Sequence, residues 1–81
     1  MNSWLYTSFK AYAARENIQL LRDDMNFIET CLGKIPEHAH RKLMHQYIKI
    51  WQECVIDISD KIKAQNIGRF NANQFLREQS E

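Results

Sequence analysis

The sequence predicts an all-α protein, a compact bundle of three to four helices. Two Gly and one Pro in 81 residues are too few for the many tight turns of a sandwich or barrel. Hydrophobic residues make up 44% of the chain, which is typical of a folded protein. Apolar residues also recur at intervals of three and four along most of its length. Because 81 residues suit one domain at most, residues 1–81 are expected to form a single helical domain.

The first 32 residues contain one predicted break. Ser3 is placed to cap a first helix, because apolar residues follow it at helical spacing. Asn17 can adopt the left-handed conformation that ends a helix, and Asp23 can cap a second helix. We therefore expect two helices, separated between Asn17 and Asp23. The alternative is one helix over residues 3–32, because a regular apolar stripe crosses the break: Ile18, Leu21, Met25, Ile28 and Leu32.

A third helix is predicted after Gly33 and Pro36. Gly33 follows the last apolar residue of the second helix, and Pro36 is expected at the first position of the next one. The third helix either ends near Asp57 or continues, and Ser59 is the next candidate cap. Its predicted buried face consists of Leu43, Tyr47, Ile50, Trp51, Cys54, Val55 and Ile58.

The last segment can be interpreted in two ways. Gly68 and Ala72 are four residues apart, so in an unbroken helix they would form a smooth strip that another helix could approach closely. Alternatively, Gly68 ends one helix and Asn71 caps a short last one.

The second half of the chain carries a recognisable ending. After Tyr47 and Ile50-Trp51 come Asn66-Ile67-Gly68-Arg69-Phe70-Asn71-Ala72-Asn73 and Phe75-Leu76-Arg77-Glu78. This stretch resembles small helical proteins of proteobacterial prophages that end in N-A-G-R-x-A-A-N-x-W-L-R-E. The chain departs from that pattern at Ile67, Asn71 and Phe75. The resemblance implies a phage or mobile-element context and no particular activity.

Residues that could carry catalysis or hold a metal lack the necessary spacing. His38, His40 and His45 are two and five residues apart, whereas a metal-binding helix places ligands three or four residues apart. We expect an exposed polar stretch there and no metal or other cofactor. Cys31 and Cys54 are too few for a disulfide scaffold and are expected as free thiols. With no nucleophile beside a base, and no paired carboxylates, the chain is predicted not to be an enzyme.

The chain is also expected to be cytoplasmic. It has no run of about 18 apolar residues that would span a membrane, so no membrane partner is expected. Its start, Met1 to Tyr6, lacks the basic region and apolar run of a signal peptide.

Positive charge is concentrated around the start of the third helix. The candidate partner-binding residues there could contact phosphates or an acidic protein surface: Lys34, Arg41, Lys42, His45 and Lys49. Three acidic residues precede them in the second helix, namely Asp23, Asp24 and Glu29. We expect the turn at Gly33 to bring these acids alongside, so that they partly cancel the basic charge.

Two further candidates lie in the last segment. Arg69 and Asn73 share one helix face with Asn66. This stripe is expected to form an interhelical hydrogen-bond network that fixes packing register. The alternative is a set of side chains that read base edges in a major groove.

The functional prediction follows from aromatic content, charge and the lack of catalytic residues. Nine aromatic residues are more than a core of this size hides easily, and exposed aromatics mark interfaces. The formal net charge is only +1. We predict a phage-associated interaction protein that regulates or inhibits a macromolecular partner by protein–protein contacts, with a homodimer as a further expectation. The alternative is a small nucleic-acid-binding regulator that uses the basic residues of the third helix.

Overall fold

The computed structural model describes residues 3–81, in which four α-helices are joined by short turns. In chain order the elements are a π-helical turn at Leu5–Phe9, α1 at Lys10–Arg15, α2 at Arg22–Leu32, a 3-10 turn at Glu37–Ala39, α3 at His40–Asp57 and α4 at Lys61–Ser80. No strand occurs within residues 3–81, so the all-α helical prediction is confirmed.

The first helix ends at the predicted break. Asn17 has a φ of 61°, the left-handed conformation that closes a helix end. The Ile18 amide donates to the Ala13 carbonyl at 2.9 Å, and the Asn17 amide donates to the Ala14 carbonyl at 3.1 Å. These two bonds form a Schellman motif, and the Ile18 side chain is buried beyond it. Residues 3–32 therefore form two helices rather than one.

The helix starts differ from the predicted caps by one or two residues. Ser3 already lies within the first helix instead of capping it. At the start of α2 the Leu21 amide donates to Asp24 Oδ2 at 3.0 Å. The predicted cap at Asp23 is therefore wrong, because the neighbouring carboxylate on the buried side satisfies the helix start.

The starts of α3 and α4 show similar shifts. Pro36 has a ψ of 137°, so it precedes the 3-10 turn that leads into α3 instead of occupying a first helical position. At α4 the cap is Asp60, whose Oδ1 accepts from the Lys63 amide at 3.0 Å. The prediction of Ser59 as the cap is therefore wrong by one residue.

One continuous apolar core joins all four helices. Its largest fully buried side chains are Trp51, Tyr47, Leu5, Ile28, Leu32, Met44, Ile48 and Leu76. Met44 and Ile48 were absent from the predicted face of α3, and both are buried. Leu21 belongs to the apolar stripe that crosses the break but is 56% exposed, because the chain is extended there and α2 begins only at the next residue.

α4 is unbroken, and its closest packing is against α3. Gly68, Ala72 and Leu76 are buried along the side that faces α3. A Cβ atom on Gly68 would lie 2.5 Å from Trp51 Cδ1. The unbroken helix is therefore as predicted, but the group that fills the space beside Gly68 is the Trp51 indole and not the backbone of another helix.

Candidate functional site

The polar stripe of α4 forms the interhelical network that was expected. Arg69 Nε donates to Asp24 Oδ2 at 2.8 Å, and Asn73 Nδ2 donates to Asp24 Oδ1 at 3.4 Å. The same carboxylate caps the start of α2 through the Leu21 amide. Asp24 is only 4% exposed, and burial of this charge is compensated by these partners. One side chain thus links α2 to α4.

Tyr47 extends the network from α4 to α3. Its hydroxyl donates to Asn73 Oδ1 at 2.6 Å. Burial raises the pKa of the Tyr47 phenol well above its ordinary value, and the nearby Asp24 charge raises it further. The phenol therefore keeps its proton, and its hydrogen bond to Asn73, even in alkaline solution where an ordinary tyrosine begins to ionise.

Gln65 connects the turn after α1 to the same core. Its Oε1 accepts from Trp51 Nε1 at 2.9 Å and from the Gln19 amide at 3.1 Å. Its Nε2 donates to the Asn17 carbonyl at 2.6 Å. The buried indole N–H therefore has a partner, and the turn after α1 is attached to α4.

Arg69 is directed inward rather than towards solvent. Its Nη2 donates to the Gln19 carbonyl at 2.8 Å, and its guanidinium lies over the Trp51 ring with Cζ 5.0 Å from the centroid. With Asp24 bound to Nε, the guanidinium donors face the protein. This geometry favours a packing role for Arg69 and Asn73 over the reading of base edges.

The side of α4 that faces away from α3 presents apolar groups to solvent. Phe70 is 67% exposed and Ile62 is 76% exposed. Phe70 lies two residues from both Gly68 and Ala72, so it projects away from the buried strip. We call this surface the α4 outer face, and it consists of Ile62, Asn66, Phe70, Gln74 and Arg77. Ile62 is among the most exposed apolar residues described.

A second surface combines cations with aromatic rings. The Arg41 guanidinium lies over the Trp4 ring with Cζ 5.4 Å from the centroid. His45 is stacked on Tyr12, with centroids 5.7 Å apart and an interplanar angle of 7°. Arg15 also lies over Tyr12, with Cζ 5.8 Å from that centroid. We call this group the cation–aromatic surface, and its members line one shallow groove between the first helix and α3.

The remaining basic candidates are exposed near this surface or before it. Lys42 and Lys49 lie on the solvent side of α3, and Lys34 lies in the turn before it. Within residues 3–81, no ion pair joins any of these lysines or Arg41 to an acidic side chain. Asp24 pairs with Arg69 instead. The expected cancellation of the basic charge is therefore not made through ion pairs.

The histidines and cysteines occupy unrelated positions. His40 is buried, and its Nε2 donates to the Ile35 carbonyl at 2.8 Å, so the expectation of exposure is wrong for this residue. His38 is exposed, and His45 belongs to the cation–aromatic surface. Both cysteines are free thiols. In the described part of the chain, no three side chains of metal-ligating type are grouped closely enough to hold an ion.

Sequence reasoning missed three features of these surfaces. Asp24 and Gln65 were not recognised as network members, because Arg69, which binds Asp24, and Asn17, which binds Gln65, each lie more than forty residues away along the chain. Arg15 was not connected with the basic residues of α3. The exposure of Phe70 had a signal in the sequence, since a residue midway between two small residues four apart lies on the opposite helix face.

The chain matches no protein-family model, no curated protein and no solved structure. None of the helices formed by residues 3–81 has the length and apolar character needed to cross a membrane.

Proposed function

We propose that this protein is a non-enzymatic interaction protein that regulates or inhibits a macromolecular partner through protein contacts on the α4 outer face. The observation that carries the proposal is the exposure of Phe70 and Ile62 on one side of α4. Burying these two side chains is favourable, at about 25 cal/mol for each Å² of apolar surface removed from water. A partner that covers the face supplies that burial.

The surroundings of Phe70 favour a protein as the partner. The depression beside the Phe70 ring is lined by polar and charged side chains: Asn66, Arg69, Asn73, Gln74, Arg77, Glu78 and Glu81. An aromatic anchor within a polar rim that includes arginine is typical of protein–protein interfaces. Arg77 is held in position, since its Cζ lies 5.5 Å from the centroid of the Phe27 ring. The matching partner surface has an apolar pocket for Phe70 within a polar or charged rim.

The proposal is tested by capture of the partner with immobilised protein. Three proteins are compared: wild type, Phe70→Glu, and Ile56→Glu as the matched control. Ile56 is 72% exposed, at the end of α3, and so presents a similar side chain away from the α4 outer face. Cell extract is treated with nuclease, washed at moderate salt and analysed by mass spectrometry. Because residues 41–78 resemble prophage-encoded proteins, bacterial host and phage proteins are the first to be sought.

We expect wild type and Ile56→Glu to retain the same partner and Phe70→Glu to lose it. A central aromatic anchor contributes about 2 kcal/mol or more, so the change should weaken binding by roughly thirtyfold. Equal recovery by all three proteins would exclude the α4 outer face as the binding surface.

A second copy of this chain is one protein that the face could bind. Sedimentation of wild type at tens of micromolar, compared with Phe70→Glu, identifies that case. A wild-type dimer that Phe70→Glu converts to a monomer assigns the face to self-association. If both proteins are monomers, the α4 outer face does not mediate self-association, and its partner is a different protein.

A further inference from the structure

We propose that the cation–aromatic surface binds single-stranded nucleic acid. This goes beyond the function proposed for the α4 outer face, since it concerns a different surface on different elements. The groove is lined by Trp4, Tyr12, Arg15, Arg41 and His45.

Its first feature is a set of planar groups held in place by their neighbours. The Tyr12 and His45 rings are parallel within 7°, and His45 is exposed, so the stacked pair borders solvent. The exposed Arg41 guanidinium is held over the half-buried Trp4 ring. Unpaired bases stack on such imidazole, indole and guanidinium planes, and they do so with little regard to sequence. The planes are already fixed, so a base that stacks on them orders few side chains.

Its second feature is a strip of positive charge along α3 beside those planes. Lys42 and Lys49 supply the charge, and His45 lies between them on the same side of the helix, at spacings of three and four residues. From Lys42 to Lys49 the helix rises about 10 Å, at about 1.5 Å per residue. That length is enough to contact two or three successive phosphates of one strand. No acidic side chain is ion-paired to Lys42, Lys49 or Arg41 within residues 3–81.

The combination of planes and cations favours a single strand over two other anionic ligands. A duplex offers the same phosphates, but its bases are stacked in its interior and cannot reach Trp4 or Tyr12. An acidic protein segment could pair with Arg41 and Lys42, but carboxylates do not stack on His45. Each unpaired nucleotide carries both a planar base and a phosphate, so a single strand uses both features along its whole length.

The test uses a fluorescently labelled oligothymidylate of about 15 nucleotides, within the range that single-strand binding surfaces contact. Anisotropy titrations are run with wild type, with Arg41→Glu/Lys42→Glu, and with Lys61→Glu/Lys63→Glu. The last variant is the matched control, because it reverses two exposed lysines at the start of α4. Circular dichroism confirms that each variant is folded. A duplex of equal length is titrated in parallel.

We expect micromolar binding of the oligothymidylate at low salt, weakening as salt increases. Each contacted phosphate contributes about −0.7 to the slope of log affinity against log salt, so two or three contacts give a slope of about −1.4 to −2.1. Arg41→Glu/Lys42→Glu should abolish binding, and Lys61→Glu/Lys63→Glu should retain it within about threefold. His45→Ala should weaken oligothymidylate by about tenfold or more and duplex by much less.

Tryptophan fluorescence gives an independent measurement. Trp51 is fully buried, so quenching by a stacked base reports on Trp4. We expect quenching on addition of oligothymidylate, and its loss in Trp4→Phe. Phe70→Glu should bind oligothymidylate like wild type, which separates this inference from the proposed function. Absence of binding, equal binding of duplex without quenching, or an equal loss with Lys61→Glu/Lys63→Glu would overturn the proposal.

Discussion

At the scale of single residues, Asp24 has the most demanding position in the fold. It is a buried carboxylate that accepts from Leu21, Arg69 and Asn73, and so connects the start of α2 with α4. A buried charge is tolerated only while its partners remain, because isolated burial of a carboxylate is strongly unfavourable. The stability of this small protein should therefore depend on Asp24 more than on any exposed charge.

Asp24→Asn should lower the free energy of unfolding by about 2 kcal/mol, less than for a fully buried pair because the Arg69 side chain is 22% exposed. Asn keeps the size of the side chain but removes the charge that faces Arg69. The matched control is Asp23→Asn, an exposed neighbour whose replacement should cost about 0.5 kcal/mol or less. Urea unfolding measures both variants. Equal stabilities for the two would contradict the network.

The raised pKa of Tyr47 predicts that the stability of the protein falls in alkali. The pKa is raised by burial and by Asp24, so the folded protein keeps the phenol proton when an unfolded tyrosine loses it near pH 10. The stabilisation is complete below that pH and is lost above it, because the unfolded chain releases the proton first. The free energy of unfolding should fall by up to about 1.4 kcal/mol for each pH unit above 10 from this residue.

The comparison for Tyr47 is Tyr47→Phe, which lacks the titrating group. Both proteins are unfolded in urea between neutral pH and pH 11. Wild type should lose stability more steeply than Tyr47→Phe above pH 10. Parallel curves would show that Tyr47 titrates normally in the folded state.

At the scale of elements, Gly68 sets the distance between α3 and α4. Gly68→Ala should gain about 1 kcal/mol in helix propensity, yet overpacking against a core ring typically costs about 1–3 kcal/mol. A Cβ would lie 2.5 Å from Trp51 Cδ1, and Trp51 is fully buried and bonded to Gln65, so it has little room to move. We expect a lower melting temperature and a shifted tryptophan emission spectrum.

Gly33→Ala is the control for that prediction. Gly33 has a φ of −62°, and an added Cβ would meet its nearest neighbour, the Thr30 carbonyl, at 3.4 Å. The substitution should therefore be neutral or raise stability slightly, because alanine has fewer unfolded conformations to lose. If Gly68→Ala were as stable as Gly33→Ala, the α3–α4 contact would be looser than described.

The helices themselves could be predicted because their signals are local. Asn17 indicated the break, although the apolar spacing by itself also allowed one helix over residues 3–32. Gly68 with Ala72 indicated a close approach to α4. The caps were placed less accurately, because neighbouring acceptors compete for the same helix start: Asp24 was favoured over Asp23 at α2, and Asp60 over Ser59 at α4. These choices depend on which element packs nearby, which a local pattern does not contain.

The candidate surfaces were less predictable than the helices, because they depend on tertiary packing. Arg41, Lys42, His45 and Lys49 were recognised as candidates, but Tyr12 joins them only when the first helix packs beside α3. Arg69 and Asn73 were candidates for binding, and their network role depended on the distant Asp24. The role of each polar residue was decided by partners far away in sequence.

At the scale of the whole molecule, polar side chains on α4 are divided between two tasks. Those towards α2 and α3 hold the bundle together, as Arg69 and Asn73 do through Asp24 and Tyr47. Those on the α4 outer face surround an exposed phenylalanine that the fold does not bury. This division predicts that stability and partner binding can be changed separately.

The most direct test of the α4 outer face as the binding surface is hydroxyl-radical footprinting of the protein alone and with its captured partner. Oxidation by the radical reports the exposure of individual side chains. If the partner covers the α4 outer face, Phe70 and Ile62 should react readily in the free protein and become protected in the complex. Ile56 and Tyr6, which are exposed on other elements, should react equally in both states. A complex in which Phe70 stays fully reactive while another surface becomes protected would contradict the assignment of the α4 outer face.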